Sequence, residues 1–177
     1  LDHSVEVEDQ GRGCPVDWNE KEKRWNWELV FCELYAGDDN YEYSLGLNGL
    51  GSCATQYASA YMDVTVWRDG FEYQLHFKKG SITGKKGQEL EKTPLARRRT
   101  GTRTRWLPDL EVFTDIDIPA EYFAGVMKRQ AVVNAGITFR LRVETAAGRY
   151  ETTEFLYENG IADYVRELAG EGTLTDP

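Results

Sequence analysis

The stretch EVEDQGRGCPV at residues 6–16 decides the fold, because it runs a strand directly into a glycine-rich turn that carries a carboxylate. Apolar and acidic side chains alternate within residues 1–8, and this alternation predicts a half-buried strand. Asp9, Gly11 and Gly13 then form a D-x-G-x-G motif. An aspartate at a strand end can accept a hydrogen bond from an exocyclic amine, and glycines let a ring approach the backbone closely. The alternative interpretation is a plain strand-to-loop turn.

A second glycine motif, G-x-x-G-x-G, follows at Gly46, Gly49 and Gly51. The small residues at 52–59 suit a helix, so the motif is predicted to open one, and backbone N–H groups at a helix N-terminus bind phosphate. It is not a Walker A loop, because no Gly-Lys-Ser/Thr follows, and no clear strand precedes it as a Rossmann fingerprint requires. Each motif alone is a weak signal, but the two in this order favour a nucleotide site.

The composition of the 177-residue chain excludes several classes of protein. The length suits one domain. The net charge of −9 argues against direct binding of DNA or RNA, because phosphate binding needs a basic face. Cys14, Cys32 and Cys53 form no CxxC pair, which indicates neither a disulfide scaffold nor a zinc site and fits a reducing, cytoplasmic setting. No apolar run approaches the ~18 residues of a membrane-spanning helix.

Hydrophobic periodicity and turn signals predict strands in consecutive hairpins with helices grouped between them. The predicted helices are at residues 25–35, directly after the second glycine motif, from Pro119 to a cap at 134–136, and at 161–168. The predicted strands are at residues 1–8, 62–68, 71–78, 102–107, 137–144 and 149–156, with a flexible loop at 79–100. These elements predict the α+β class, as a two-layer sandwich with a mixed, mostly antiparallel sheet covered by helices.

The two glycine motifs resemble those of the Bergerat-type (GHKL) ATPases, a group that includes chaperones and histidine kinases. The finer resemblance is to the ATPase domain family of the B subunits of DNA gyrase and topoisomerase IV. Residues 9–16 resemble its DxGRGIPV segment, residues 46–51 its GLHGVG box and residues 101–109 its GT-x-x-x-F-x-PD segment. Residues 28–37 and 134–137 continue the resemblance, which covers nearly the whole chain.

The resemblance implies an ATP site. Asp9 would be a buried acceptor for the adenine amine, supported through water by Thr102. Arg68 would lie at the pocket edge, the alternative being a solvated hairpin residue. The adenine pocket would be lined by Gly11 and Gly13 and rimmed by Arg12 and Pro15, and the phosphates would be wrapped by Gly46, Leu47, Asn48, Gly49, Leu50 and Gly51.

The resemblance also implies a position for the catalytic groups. In the family, a glutamate general base and a magnesium-binding asparagine lie on a helix upstream of the DxGxG strand. The catalytic base and the Mg²⁺ ligand are therefore expected upstream of Leu1. Residues 1–177 are accordingly expected to be a partial GHKL ATPase domain that lacks its N-terminal helix, and to be inactive in hydrolysis alone.

The implied parent protein is a type IIA DNA topoisomerase, an ATP-hydrolysing isomerase in which ATP-driven dimerisation gates DNA strand passage and supercoiling changes. The implied partners are ATP, Mg²⁺, a second copy of the protein, the A subunit of the topoisomerase, and DNA reached through the assembled enzyme rather than through this segment. No membrane partner is expected. Two alternatives stay open: another GHKL ATP-switch protein of chaperone or kinase-like type, and a non-catalytic α+β interaction domain whose glycines are only turns.

Overall fold

The computed structural model describes residues 2–34, 50–83 and 89–170. These residues form two compact units, residues 2–116 and 117–170. The first unit contains the DxGxG stretch and a large sheet, and the second contains two helices and a hairpin. Within the described ranges, no helix is long and apolar enough to cross a lipid bilayer.

The unit of residues 2–116 is built on a six-stranded sheet in its described part. The unit contains eight strands, six of which belong to this sheet: β1 (Val5–Glu8), β2 (Trp18–Asn19), β3 (Arg24–Trp25), β4 (Ser59–Arg68), β5 (Phe71–Lys78), β6 (Ser81–Ile82), β7 (Lys92–Pro94) and β8 (Gly101–Pro108). Its helices are α1 (Asn26–Cys32) and α2 (Gly51–Tyr57). The sheet order is β1-β8-β4-β5-β6, with β7 also pairing with β5. Every one of these pairs is antiparallel, and β2 and β3 form a separate small hairpin.

The β4–β5 hairpin at the centre of the sheet follows directly from the sequence. Alternating apolar residues form both strands, and Asp69 and Gly70 between them adopt positive φ values of 52° and 83°. A two-residue type I′ turn requires positive φ at both positions, and Asp-Gly is a preferred pair for it. Arg68 pairs with Phe71 across the turn, so the predicted hairpin is confirmed.

The core of this unit lies between one face of the sheet and helix α1. Met62, Val64 and Val66 of β4 and Phe77 of β5 are each no more than 1% exposed. From α1, the Phe31 ring packs 5.8 Å from the Phe77 ring, measured between centroids. Because successive strand residues point to opposite faces, the alternate residues of β4 and β5 form the other, largely polar face of the sheet.

The unit of residues 117–170 is a hairpin with a helix before it and a helix after it. Its elements are α3 (Ala120–Val133), β9 (Phe139–Ala146), β10 (Arg149–Phe155) and α4 (Ile161–Ala169). Pro119 is the N-cap of α3 rather than its first helical residue, and Asn134 is its C-cap. The Lys128 side chain of α3 donates to the Glu167 carboxylate of α4 at 2.6 Å, which links the two helices.

Some details differ from the sequence-based predictions. Val7 is 53% exposed, so the prediction of a half-buried first strand is wrong, because β1 is the edge strand of the sheet. Helix α1 begins only at Asn26, since Trp25 belongs to β3, and residue 35 lies outside the described residues. The segment 79–100, predicted as a loop, contains the short strands β6 and β7 that pair with β5. The α+β class is confirmed.

The buried Phe77 provides a test of this core. Phe77→Ala should lower the free energy of unfolding by about 3–5 kcal/mol, because it removes a fully buried ring and leaves a cavity. Phe113→Ala is the control in the same unit, since Phe113 is 43% exposed. Urea unfolding followed by tryptophan fluorescence measures both effects. Equal losses for the two variants would contradict the assignment of the core.

Candidate functional site

Asp9 and Thr102 meet where strand β1 ends beside strand β8. Glu8, the last residue of β1, pairs with Arg103. The pairing continues for one further step, because the backbone N–H of Asp9 donates to the carbonyl oxygen of Thr102 at 2.9 Å. The structure therefore brings together the two residues that the family resemblance assigns to adenine recognition.

The carboxylate of Asp9 is held by the turn that follows it. Its Oδ1 atom accepts a hydrogen bond from the backbone N–H of Gly11 at 2.7 Å. Asp9 is exposed, so the prediction of a buried acceptor is wrong. An ionised carboxylate has about four lone-pair sites, and one bond from Gly11 leaves acceptor capacity for a ligand. Asp9 is thus an oriented acceptor that solvent can reach.

Gly13 lies where three backbone segments converge. Its φ is +82°, and a Cβ there would lie 2.5 Å from the carbonyl oxygen of Trp67 and 3.3 Å from that of Gly101. Gly101 is in the same situation, because a Cβ at that position would overlap the carbonyl oxygen of Asp9. Both positions therefore need glycine, for backbone conformation and for space. The close approach brings the DxGxG turn against the ends of β4 and β8.

Two further hydrogen bonds fix this turn. The backbone N–H of Cys14 donates to the Thr102 Oγ1 atom at 3.0 Å. Arg68 donates from Nη1 to the carbonyl oxygen of Gly13 at 3.0 Å and from Nε to the Asp69 carboxylate at 3.3 Å. Arg68 is therefore attached to the edge of the site, which favours the pocket-edge prediction over that of a solvated hairpin residue.

The Cys14 side chain lies in the same turn and is protected from ionisation. Burial raises the pKa of its thiol from 9.0 to about 12, an effect that the nearby Arg68 opposes and the nearby Asp9 reinforces. The thiolate is the nucleophilic form of cysteine, so Cys14 is a neutral, weakly nucleophilic side chain at physiological pH.

The remaining predicted residues are placed in part. Arg12 is exposed and Pro15 is half-buried in the same turn. Helix α2 begins at Gly51 after the N-cap residue Leu50, so the second glycine motif does open a helix. The other four residues of that motif, Gly46, Leu47, Asn48 and Gly49, lie outside the described residues.

Gly101 and Trp67 take part in the site but are not among the residues predicted from the sequence. Gly101 stands directly before the strand residue Thr102, and an isolated glycine at a strand end is a signal for close backbone approach. Trp67 contributes a main-chain oxygen, and its residue type gives no signal of that role. The described part of the chain contains no group of three or more His, Cys, Asp or Glu side chains that could hold a metal ion.

No protein-family model matches the chain, but individual proteins do. The DNA gyrase B subunit of Treponema denticola is 37% identical over 171 residues, which cover 93% of this chain and 26% of the relative. The DNA gyrase B subunit of Synechocystis sp. is 34% identical over 177 residues, with coverages of 97% and 16%. The DNA topoisomerase 4 B subunit of Escherichia coli is 34% identical over 173 residues, with coverages of 94% and 26%. The chain spans about a quarter or less of the length of these relatives.

The fold is similar to that of the 43K ATPase domain of Thermus thermophilus gyrase B, solved in complex with an aminocoumarin. The TM-score is 0.76 and the sequences are 26% identical. The similarity covers 97% of this chain and 42% of that chain. Sequence and fold therefore point to the same family, and the resemblance carried by the two glycine motifs is confirmed.

The packing around Gly13 predicts that Gly13→Ala, which adds one methyl group, lowers the stability of the fold substantially. Gly70→Ala is the matched control, because Gly70 has φ +83° but a Cβ there would meet nothing within 4 Å. Gly70→Ala should cost about 1–2 kcal/mol of stability from the backbone conformation alone. Gly13→Ala should cost at least about 1 kcal/mol more, from overlap with the Trp67 carbonyl. Chemical denaturation measures the difference, and equal costs would contradict the close approach.

The raised pKa of Cys14 predicts slow alkylation. At pH 8 a pKa of about 12 leaves about one thiolate in ten thousand, against about one in ten for an ordinary thiol. Iodoacetamide should therefore modify Cys14 on the order of a thousandfold more slowly in the folded chain than in denaturant, as measured by mass spectrometry of the peptide. Modification at the denatured rate would show that the thiol is not desolvated.

Proposed function

Since this chain is homologous to the B subunits of DNA gyrase and topoisomerase IV over nearly its whole length, and has the fold of a gyrase B ATPase domain, we propose that it binds ATP as part of a type IIA DNA topoisomerase B subunit. The observation that carries the proposal is the juxtaposition of Asp9 and Thr102 at adjoining strand ends. Gly13 and Gly101 allow the backbone there to pack without side chains.

The two side chains offer complementary hydrogen-bonding groups for an adenine edge. Asp9 is an acceptor, which suits the exocyclic amine of adenine. Thr102 Oγ1 already accepts from the Cys14 N–H, so its hydroxyl proton is available to donate, directly or through a water molecule, to a ring nitrogen. Gly11 and Gly13 add no side chain that would keep a planar ring away from the backbone. Arg12, Pro15 and Arg68 would form the rim.

The phosphates of ATP would lie toward the second glycine motif. Its last residue, Gly51, begins α2, in keeping with a loop whose backbone N–H groups face an anion. We assign the phosphate contacts to residues 46–51 on the strength of the sequence resemblance. The described residues include no cluster suited to a metal ion such as Mg²⁺.

At the level of the parent protein, we propose that ATP binding drives dimerisation of two B subunits, which gates DNA strand passage together with the A subunit. The net charge of −9 supports DNA contacts elsewhere in the assembly. The chain, residues 1–177, would be part of the ATPase domain, since it covers 42% of the Thermus thermophilus chain. The absence of a disulfide among Cys14, Cys32 and Cys53 supports a reducing, cytoplasmic setting.

Asp9→Asn tests the adenine contact. The substitution should raise the Kd for ADP about 5- to 150-fold, because it alters an acceptor worth about 1–3 kcal/mol to the bound amine. Asp163→Asn is the matched control, since Asp163 is a half-buried aspartate in the other unit that also accepts a backbone N–H at 2.7 Å, from Asn159. NMR titration with ADP measures weak affinities directly. Wild-type affinity in the Asp9 variant would overturn the proposed adenine site.

A further inference from the structure

Charged side chains cluster around Trp67 on the face of the sheet that lies opposite the core. The residue is only 3% exposed, although it faces away from α1. Its indole Nε1 donates to Glu72 Oε2 at 2.8 Å, which fixes the orientation of the ring. The guanidinium carbon of Arg99 lies 3.4 Å from the ring centroid, and that of Arg103 lies 5.4 Å away. The ring is thus a platform covered by arginine.

Arg99 also binds the edge strand β1 on the same face of the sheet. Its Nη2 atom donates to Glu8 Oε1 at 2.6 Å, across 91 residues of sequence. Glu8 belongs to β1 and Trp67 to β4, and β8 lies between these strands in the sheet. One side chain therefore spans three strands. Arg99 does so at the point where the chain enters β8, two residues before Gly101.

The three segments that Arg99 connects are the ones that build the site. Trp67 supplies the carbonyl oxygen that abuts Gly13, and Gly101 lies against the carbonyl of Asp9. Glu8 directly precedes Asp9 in the chain. Any shift of β8 relative to β1 and β4 would move Thr102 away from Asp9 and from the N–H of Cys14.

We propose that Arg99 is a positioning residue for the adenine site: by stacking on Trp67 and pairing with Glu8, it holds Gly101 and Thr102 in register with the DxGxG turn. The inference rests on the proposed nucleotide-binding function. Arg99 touches neither Asp9 nor the adenine pocket; it acts on affinity through the backbone alignment of the strands.

Stacking and ion pairing make different contributions here. Both partners of the Arg99–Glu8 pair are partly exposed, with side-chain exposures of 46% and 36%, and such pairs contribute little by themselves. A guanidinium over a buried tryptophan is the stronger interaction. The Glu72 carboxylate keeps the ring in place. The hydrogen bonds that this carboxylate accepts from Trp67 and then Gln74 lower the pKa of Glu72, and the charges of Arg103 and Arg99 lower it further. Lysine at position 99 would keep the charge but lose the planar stack.

The experiment compares Arg99→Ala and Arg99→Lys with Arg140→Ala in the 177-residue chain. Arg140 is the matched control, because it pairs with Glu154 at 2.6 Å on an exposed strand of the other unit. Arg99→Ala should raise the Kd for ADP about three- to tenfold. It should also shift the backbone amide resonances of Gly11 and Cys14 without ligand, while the amide resonances of the core residues Val64 and Phe77 stay at their wild-type positions. Arg99→Lys should lie between wild type and Arg99→Ala in both readouts.

Three results would overturn the inference, and they differ in what else they affect. If Arg99→Ala binds ADP with wild-type affinity and leaves the Gly11 and Cys14 amides unmoved, Arg99 is a surface residue without a positioning role, and the proposed function stands. If the wild-type chain itself binds no ADP, the proposed function fails and the positioning role fails with it. A rise in Kd accompanied by shifts of the Val64 and Phe77 amide resonances would show general destabilisation and would also reject the proposal.

Discussion

The site depends on a close approach of backbone to backbone, which two glycines make possible. Gly13 lies against the carbonyl oxygens of Trp67 and Gly101, and Gly101 lies against that of Asp9. A β-carbon at either position would push the segments apart. Because the contact involves main-chain atoms, its geometry is set by the strands and not by side-chain rotamers. If Asp9 and Thr102 bind adenine as proposed, a pair positioned in this way would require little reorganisation on binding, which favours affinity.

The two faces of the sheet have different roles, one in the hydrophobic core and the other in contacts with arginine side chains. The residues that alternate along β4 as Met62, Val64 and Val66 form the core with α1, and supply the hydrophobic stabilisation of the unit. Thr65 and Trp67, between and after them, face the other way, where the arginines of β8 and its entry segment lie. The core therefore determines that the sheet forms, and the polar face contributes to how its strand ends are aligned.

The sequence predicts the parts of this structure that depend on local signals. The β4–β5 hairpin follows from alternation and an Asp-Gly turn, and the DxGxG motif indicates that Asp9, Gly11 and Gly13 belong to one site. Thr102 and Arg68 enter the prediction only through the family resemblance, because Thr102 joins Cys14 across 88 residues. The contact of Arg99 with Trp67 lies beyond single-sequence reasoning, since neither residue belongs to a motif. The exposure of Val7 was missed because alternation does not distinguish an edge strand from a central one.

The pairing of β1 with β8 has a consequence for how the protein folds. The β4–β5 hairpin joins residues that are close in sequence and can form early. Strand β1 pairs with β8, which begins only at Gly101, so this pairing joins distant parts of the chain. Closing such a long loop lowers the entropy of the chain before the stabilising contacts between the strands have formed, so non-local pairings form late. During synthesis, the DxGxG turn leaves the ribosome long before its partner strand does. The proposed binding site is therefore among the last features of this unit to be completed, and a nucleotide bound there would stabilise only the finished fold.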